Sequence, residues 1–129
     1  MKRLEDQLQF ACAQYLRASG VMFFHSPNEA KRKPIEASRL NALGLTPGVP
    51  DLCILLDHER VVWVELKTTT GKISKHQENW AKKATQRGHQ VHLLIAATPD
   101  EAVMKLHAIL AQNNQQPSET FLPPSSESM

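Results

Sequence analysis

The sequence predicts an α/β domain in which a mixed central sheet is flanked by helices. Apolar residues recur at helical spacing in some segments and as short continuous runs in others, in the order helix, strand, long loop, strand, strand, helix, strand, helix. The two middle strands follow each other through a short turn, so they should be antiparallel, whereas a helix separates the last two, so they should be parallel. A sheet with both kinds of pairing is a mixed sheet.

The first half of the chain predicts a helix, a strand and a long loop. Residues 3–19 place apolar side chains on one helix face, and Gly20 follows where helices commonly end. The run "VMFFH" at 21–25 is predicted as a short buried strand. Residues 26–50 are rich in proline and glycine and predict a shaped loop with a short helix near 35–43. Long loops in compact domains are often functional.

The middle of the chain predicts a hairpin followed by a helix. Residues 52–56 and 61–67 are apolar strand runs joined through "DHER". Ser74 with Gln77 three residues later has the pattern of a capping box, which opens a helix over about 75–87.

The last part predicts a buried strand at 91–97 and a final helix. Thr98 as N-cap, with Pro99 next and Glu101 completing a capping box, starts a helix that runs to about 111. From 113 to 129 the chain is polar and rich in proline and serine, and it should not bury enough apolar surface to fold. The predicted organisation is one domain over 1–112 and a disordered tail over 113–129.

Composition indicates a cytoplasmic domain. The hydrophobic fraction is 41%, no apolar stretch approaches the roughly 20 residues of a membrane helix, and "MKRLEDQLQF" has acids where a signal peptide would be apolar. Cys12 and Cys53 have no partner at metal or redox spacing and are predicted to be reduced core thiols. The net charge of +2 is distributed unevenly, because one short segment is basic. That segment contains Lys31, Arg32, Lys33 and Arg39.

Charged residues just before the first hairpin strand and at the end of the second are the main functional signal. Glu65 and Lys67 are two residues apart near the end of the second strand, so their side chains point to the same face of the sheet. Asp51 precedes the first strand, and its position depends on the register. A symmetric turn of two or four residues pairs it with Leu66, whereas an odd-length turn or a bulge pairs it with Glu65 or Lys67.

In the second register, two carboxylates converge beside an ammonium group. Carboxylate oxygens are the ligands that Mg²⁺ and Mn²⁺ prefer, and such a metal activates water and binds phosphate. The alternative is an ordinary exposed ion pair between Glu65 and Lys67, with Asp51 as a turn residue after Pro50.

The motifs "GVPD", "VELK" and "SKHQ" together resemble the PD-(D/E)XK nuclease superfamily, and "HSPNEAKRK" with "NALGLTPGVPDL" resembles its VRR-NUC branch, in particular small stand-alone phage and prophage members. The resemblance covers about 1–110. It implies a restriction-endonuclease-like αβββαβ core and divalent-metal-dependent cleavage of DNA.

The resemblance also implies roles for individual residues. The catalytic aspartate, glutamate and lysine fall on Asp51, Glu65 and Lys67, and the main-chain carbonyl of Leu66 would complete the metal shell. The glutamine that arranges the site or touches DNA falls on Gln77, in addition to its capping role.

Other residues match the family less specifically. The acid of the first helix falls on Glu5, with Asp6 as a rival, and a solvated first-turn acid is the simpler alternative for both. His25, Asn28 and Glu29 match a shared segment, in which Asn28 and Glu29 are candidates for substrate or metal-water contacts.

These observations predict a metal-dependent deoxyribonuclease with Mg²⁺ or Mn²⁺ as cofactor and DNA as partner. The resemblance favours branched or four-way-junction DNA, and the small core favours a homodimer. The basic segment would hold phosphates near the cut. The rival hypotheses are a non-catalytic nucleic-acid-binding module and an accessory subunit that retains the nuclease fold.

Overall fold

The computed structural model describes residues 3–26 and 33–114 and has the element order that the sequence predicts. Within these residues there are four helices and four strands. They are α1 (Leu4–Ala18), β1 (Met22–His25), α2 (Pro34–Ala42), β2 (Leu52–Leu55), β3 (Val61–Lys67), α3 (Lys75–Gln86), β4 (Gln90–Ile95) and α4 (Pro99–Asn114).

The sheet is mixed, as predicted. Its strand order is β1-β2-β3-β4. The pairs β1/β2 and β2/β3 are antiparallel, and β3/β4 is parallel across the α3 connection. The strand that ends in Glu65 and Lys67 therefore lies inside the sheet, where its backbone is paired on both sides and its side chains are held firmly.

One face of the sheet, the core face, is covered by α1 and α4. The alternate residues of β2 and β3 that point to this face, and Leu94 of β4, are shielded from water. Each buried leucine or isoleucine contributes about 1.5–3 kcal/mol to stability. The cluster comprises Leu8, Cys12, Leu16, Leu52, Ile54, Val62, Val64, Leu66, Leu94, Ala96, Ala102, Leu106 and Leu110.

The two cysteines are free and buried, which confirms the prediction that both are core thiols. Burial raises the pKa of the Cys12 thiol to about 11 and raises that of Cys53. Both thiols therefore stay protonated at neutral pH and are poor nucleophiles.

The opposite face, here called the α3 face, is only partly covered. Helix α3 reaches it through Trp80, which packs on Trp63, and through Gln77, which bonds Glu65. The prediction that the first and last strands are buried was wrong for this face, because both are edge strands; on the core face, Leu94 and Ala96 are buried as predicted. Met22 is 70% exposed and Leu93 43%.

The helix ends mostly follow the predicted signals. Ser74 and Gln77 form the capping box of α3. At α4 the Thr98 hydroxyl accepts from the Glu101 amide, but the Glu101 carboxylate accepts from the Ala97 amide, one residue before the N-cap. Helix α4 continues to Asn114 rather than ending near 111, because Asn113 is buried and donates to the Ile109 carbonyl. The rest of the predicted tail lies outside the described residues.

Helix α2 has no buried residue, and it leaves Ile35 80% and Leu43 72% exposed. No helix in the described part of the chain is long and apolar enough to cross a membrane.

Candidate active site

The register of the β2/β3 hairpin places Asp51 opposite Glu65. Leu52 pairs with Val64, and Leu55 pairs with Val61. The Leu56 amide donates to the Arg60 carbonyl at 2.8 Å, so the turn consists of the three residues 57–59 and not of the four in "DHER". Continuing the ladder by one residue aligns Asp51 with Glu65. The odd-length turn that the catalytic arrangement requires is therefore present.

Asp51 is held through both its side chain and its main chain. Its carboxylate oxygen Oδ2 accepts a 2.8 Å hydrogen bond from the Leu66 amide. Its main-chain carbonyl accepts from the Ser26 amide at 2.8 Å and from Nδ1 of His25 at 2.9 Å. Because a carbonyl only accepts, Nδ1 of His25 carries a proton. His25 thus fixes the motif aspartate to the end of β1.

Glu65 is 7% exposed, and its two carboxylate oxygens have different surroundings. Oε2 accepts from Nε2 of Gln77 at 2.9 Å and lies 3.5 Å from Nζ of Lys67. Oε1 is buried and has no hydrogen-bond donor among the described residues. A buried oxygen without a donor is costly unless a proton or a cation compensates it.

Burial, together with the neighbouring Asp51 carboxylate, raises the pKa of Glu65 to about 8, and the Lys67 ammonium opposes this rise without cancelling it. Two carboxylates placed together cannot both ionise cheaply in a low-dielectric site. The pair therefore needs a proton or a cation, and its oxygen donors are of the type that Mg²⁺ and Mn²⁺ prefer. Asp51 and Glu65 supply two carboxylate donors for such an ion, and the Leu66 carbonyl stays a predicted third donor.

Gln77 combines the two roles that the sequence left open. Its side-chain oxygen accepts from the Ser74 amide at 2.9 Å, and the Ser74 hydroxyl accepts from the Gln77 amide at 3.1 Å. With the oxygen committed to the cap, the NH₂ group of Gln77 faces Glu65 and donates to Oε2. The start of α3 therefore orients the Glu65 carboxylate.

Lys67 lines a cavity of about 280 Å³ beside this pair. Its side chain is 13% exposed. Two basic residues that the sequence analysis did not select, Lys72 and His76, also line the cavity. Lys72 lies in the loop after "VELK" and His76 lies in the motif "SKHQ", and these positions were the signal that could have identified them. The described residues that line the cavity are Pro47, Gly48, Val49, Asp51, Lys67, Lys72, Ser74, His76 and Gln77.

Gly48 brings the loop before Asp51 against the start of α3. Its φ is +91°, and a Cβ at this position would overlap the main-chain carbonyl of His76 and lie 3.0 Å from the Gln77 amide nitrogen. Only glycine fits this backbone conformation and this close approach. The glycine of "GVPD" therefore lets Asp51 and Gln77 belong to one site.

The acids predicted in the first helix lie in the first turn of α1. Glu5 is half-buried and Asp6 exposed in the first turn of α1. Within residues 3–26 and 33–114, no group of three or more Asp, Glu, His or Cys side chains could hold a metal ion. The catalytic role of Glu5, with Asp6 as its rival, stays a prediction.

The predicted DNA contacts are placed only in part. Lys33 and Arg39 are exposed at the two ends of α2. Asn28, Lys31 and Arg32, together with Glu29, lie outside the described residues.

Comparison with known proteins concerns the family and the fold. The sequence profile of the VRR-NUC domain matches residues 5–98. A solved structure named "VRR_NUC domain protein" is similar with a TM-score of 0.61 and 17% identity, covering 86% of this chain and 91% of that one. Another, named "VRR_NUC domain", has a TM-score of 0.55 and 18% identity over 80% of this chain and 94% of the other. No curated protein matches the chain. The fold is restriction-endonuclease-like, and the chain belongs to the VRR-NUC family.

Proposed function

We propose that this protein is a divalent-metal-dependent nuclease that hydrolyses DNA phosphodiester bonds. The observation that carries the proposal is the buried pair of carboxylates, Asp51 and Glu65, with the Lys67 ammonium beside them. Oε1 of Glu65 has no hydrogen-bond donor in the part of the chain that the structure describes. Membership of a nuclease-type family supports it.

The pair has a feature that an ordinary structural ion pair lacks. A surface pair between Glu65 and Lys67 would leave both side chains hydrated, whereas here they are only 10% and 13% exposed and a second carboxylate lies beside them. Such an arrangement costs stability. Proteins keep costly charges of this kind mainly at functional sites.

Each residue has a definite task in the proposed reaction. Asp51, Glu65 and the Leu66 carbonyl would hold Mg²⁺ or Mn²⁺, and the bound ion would supply Lewis acidity at the phosphate and lower the pKa of a water molecule. Gln77 fixes the orientation of Glu65 through its 2.9 Å hydrogen bond.

Lys67 holds the attacking water and offsets the negative charge that develops on the phosphate in the transition state. Lys72 and His76 on the cavity wall, with the exposed Lys33 and Arg39, hold the DNA backbone through its phosphates.

The resemblance to stand-alone phage and prophage members supports a more specific role. We propose that the enzyme selects branched or four-way-junction DNA during replication, recombination or repair. A homodimer would place two active sites on one such substrate, since each chain presents little surface for gripping two DNA arms.

The test incubates the full chain with labelled duplex, flap, single-stranded and four-way-junction DNAs, in Mg²⁺, Mn²⁺ or EDTA. We expect cleavage only with metal, and no cleavage by Asp51→Asn or Glu65→Gln when thermal melting shows both to be folded. Glu78→Gln is the matched control, because Glu78 lies near the same end of α3 with a side chain 69% exposed.

Full activity of Asp51→Asn or Glu65→Gln would refute the site. A wild-type chain that binds these DNAs but cuts none of them with Mn²⁺ would leave the non-catalytic binding module as the better account.

A further inference from the structure

A cluster of aromatic side chains lies on the α3 face, outside the active-site cavity. The rings of Trp63 and Trp80 meet edge to face with centroids 5.1 Å apart, and Phe24 packs edge-on against Trp63 at 6.3 Å. Both indoles are only half-buried, and they are the two tryptophans of the chain. Aromatic rings that keep a free surface in this way are suited to stacking on a planar ligand.

These tryptophans line a pocket of about 320 Å³, here called the tryptophan pocket. A pocket of this size lies at the lower end of the range for small-molecule sites. Among the residues that the structure describes, it shares none with the active-site cavity and is lined by no acidic side chain. The lining is Trp63, Trp80, Lys83, Ala84, Arg87 and His89.

Two positively charged side chains, Lys83 and Arg87, line the pocket. Lys83 and Arg87 are four residues apart and therefore lie on one face of the end of α3. Nη1 of Arg87 donates to the Lys83 carbonyl at 2.9 Å, which anchors the guanidinium group while both side chains remain exposed. The remaining N–H groups of Arg87 and the Lys83 ammonium are available to an anion such as a phosphate.

The tryptophan pocket and the active site are neighbours on one surface. Trp63 and Glu65 are two residues apart in β3, so their side chains point to the same face, about 7 Å apart along the strand. Helix α3 spans both sites, because Gln77 near its start bonds Glu65, whereas Trp80, Lys83 and Arg87 follow towards its end. A DNA strand that lies along α3 would reach both.

We propose that the tryptophan pocket binds an unpaired nucleotide of the DNA substrate. The base stacks on the face of one indole and meets the other indole at an angle, because the rings of Trp63 and Trp80 are inclined at 65° to each other. The flanking phosphates bind Lys83 and Arg87. This inference rests on the proposed nuclease function and specifies its substrate as DNA with an unpaired base near the cut. A paired base is excluded because its faces are already stacked within the duplex. The cations favour DNA over an apolar protein surface as the occupant.

The test uses the tryptophans themselves as the probe, since Trp63 and Trp80 are the two sources of indole fluorescence. The full chain is titrated in EDTA, so that no strand is cut, with a mixed-sequence single strand and with a closed hairpin duplex of the same length. We expect saturable quenching by the single strand and little by the duplex. Trp63→Phe and Trp80→Phe each leave one indole, which assigns the quenching to each ring.

Substitution separates stacking from charge. Trp80→Ala should weaken single-strand binding about tenfold. Lys83→Ala and Arg87→Ala should each lower the slope of log K against log salt by roughly 0.7 for a lost phosphate contact. These two side chains are exposed, so their variants test the pocket even if Trp80→Ala does not fold. Lys82→Ala is the matched control, because Lys82 is exposed next to Lys83 but does not line the pocket; its slope should be that of the wild type.

Absence of quenching, or equal quenching by single strand and duplex, would refute the pocket. So would fluorescence that changes with protein concentration but not with DNA, which would assign this face to a second copy of the chain. Cleavage assayed in Mn²⁺ is a separate readout. Cleavage without quenching rejects the pocket and keeps the nuclease, whereas quenching without cleavage rejects the nuclease and keeps the binding site.

Discussion

Replacing Glu65 with glutamine should stabilise the metal-free protein at alkaline pH. Glu65 is buried beside Asp51, and its pKa rises from 4.5 to about 8 mainly through loss of hydration. Glutamine keeps the shape and an oxygen that accepts from Gln77, but it removes the charge. The variant therefore avoids both the desolvation of a carboxylate and its repulsion by Asp51.

The sign and size of the effect follow from proton linkage. Between pH 4.5 and about 8 the folded protein holds a proton on Glu65 that the unfolded chain has released, so the free energy of unfolding falls as the pH rises through this window. Each pH unit costs about 1.4 kcal/mol, which sets a ceiling of about 5 kcal/mol. Because neighbouring groups relax around a new charge, we expect Glu65→Gln to gain about 2–3 kcal/mol at pH 8.5, or roughly 5–10 °C in melting temperature. At pH 5 the two proteins should differ little.

The measurement is thermal or denaturant unfolding in EDTA from pH 5 to 9, with Glu78→Gln as control. The control carries the same substitution at an exposed position and should follow the wild type. Adding Mn²⁺ at pH 8 should stabilise the wild type and not Glu65→Gln, because metal binding displaces the proton and needs the carboxylate. A Glu65→Gln variant that is no more stable than wild type at pH 8.5 would show that the carboxylate pair is not strained, and the argument for a metal site would lose its basis.

Three further variants test Gly48, Lys67 and the exposed basic residues at the two ends of α2. Gly48→Ala should lower the free energy of unfolding, measured by denaturant titration, by about 2–4 kcal/mol, because the new Cβ would overlap the main chain of α3 and the φ is unfavourable for alanine. Gly88→Ala is the control, because Gly88 has nearly the same φ (+89°) but open space around it. Equal losses of stability at the two positions would contradict the close approach at Gly48. Lys67→Ala should lower the single-turnover cleavage rate far more than DNA affinity, and equal losses in the two would assign Lys67 to binding instead. Alanine at both Lys33 and Arg39 should lower the slope of log K against log salt for duplex DNA by roughly 0.9 per lost contact, whereas an unchanged slope would make them ordinary surface residues.

The element order was predictable because each element carries its own local signal. The capping box of Ser74 and Gln77 starts α3, and the spacing of Leu8, Cys12 and Leu16 defines the buried face of α1. These signals depend on neighbouring residues only and need no knowledge of the tertiary structure.

The hairpin register could not be derived in the same way. The turn at 57–59 contains His58 and Glu59 at φ of +63° and +64°, a conformation that usually requires glycine or asparagine. The segment "DHER" contains no glycine or asparagine that would indicate this turn, so the pairing partner of Asp51 could not be decided from the sequence. The register is set instead by the burial of alternate side chains of β2 and β3 on the core face, since a one-residue slip would turn Ile54 and Val62 outward.

The exposure of the α3 face also could not be predicted from local sequence patterns. Phe24, Leu93 and Ile95 have the hydrophobicity of core residues, yet they are 41–50% exposed, because a single helix of 12 residues cannot cover four strands. The tryptophan pocket was missed for the same reason. Trp63 and Trp80 lie in separate elements, and no spacing pattern in the sequence brings them together.

The position of α3 connects the chemistry of the site to its structure. Its N-terminus, with Ser74 and Gln77, faces the active-site cavity, and the partial positive charge of a helix N-terminus favours a phosphate or a carboxylate there. Gln77 couples this end to Glu65, while Gly48 locks the loop of Asp51 onto the same turn of helix. The N-terminal end of α3 thus keeps the two carboxylates together although they repel each other, since it holds Glu65 through Gln77 and the loop of Asp51 through Gly48. Such strain persists only where the surrounding contacts over-determine it, and a divalent cation would relieve it on binding.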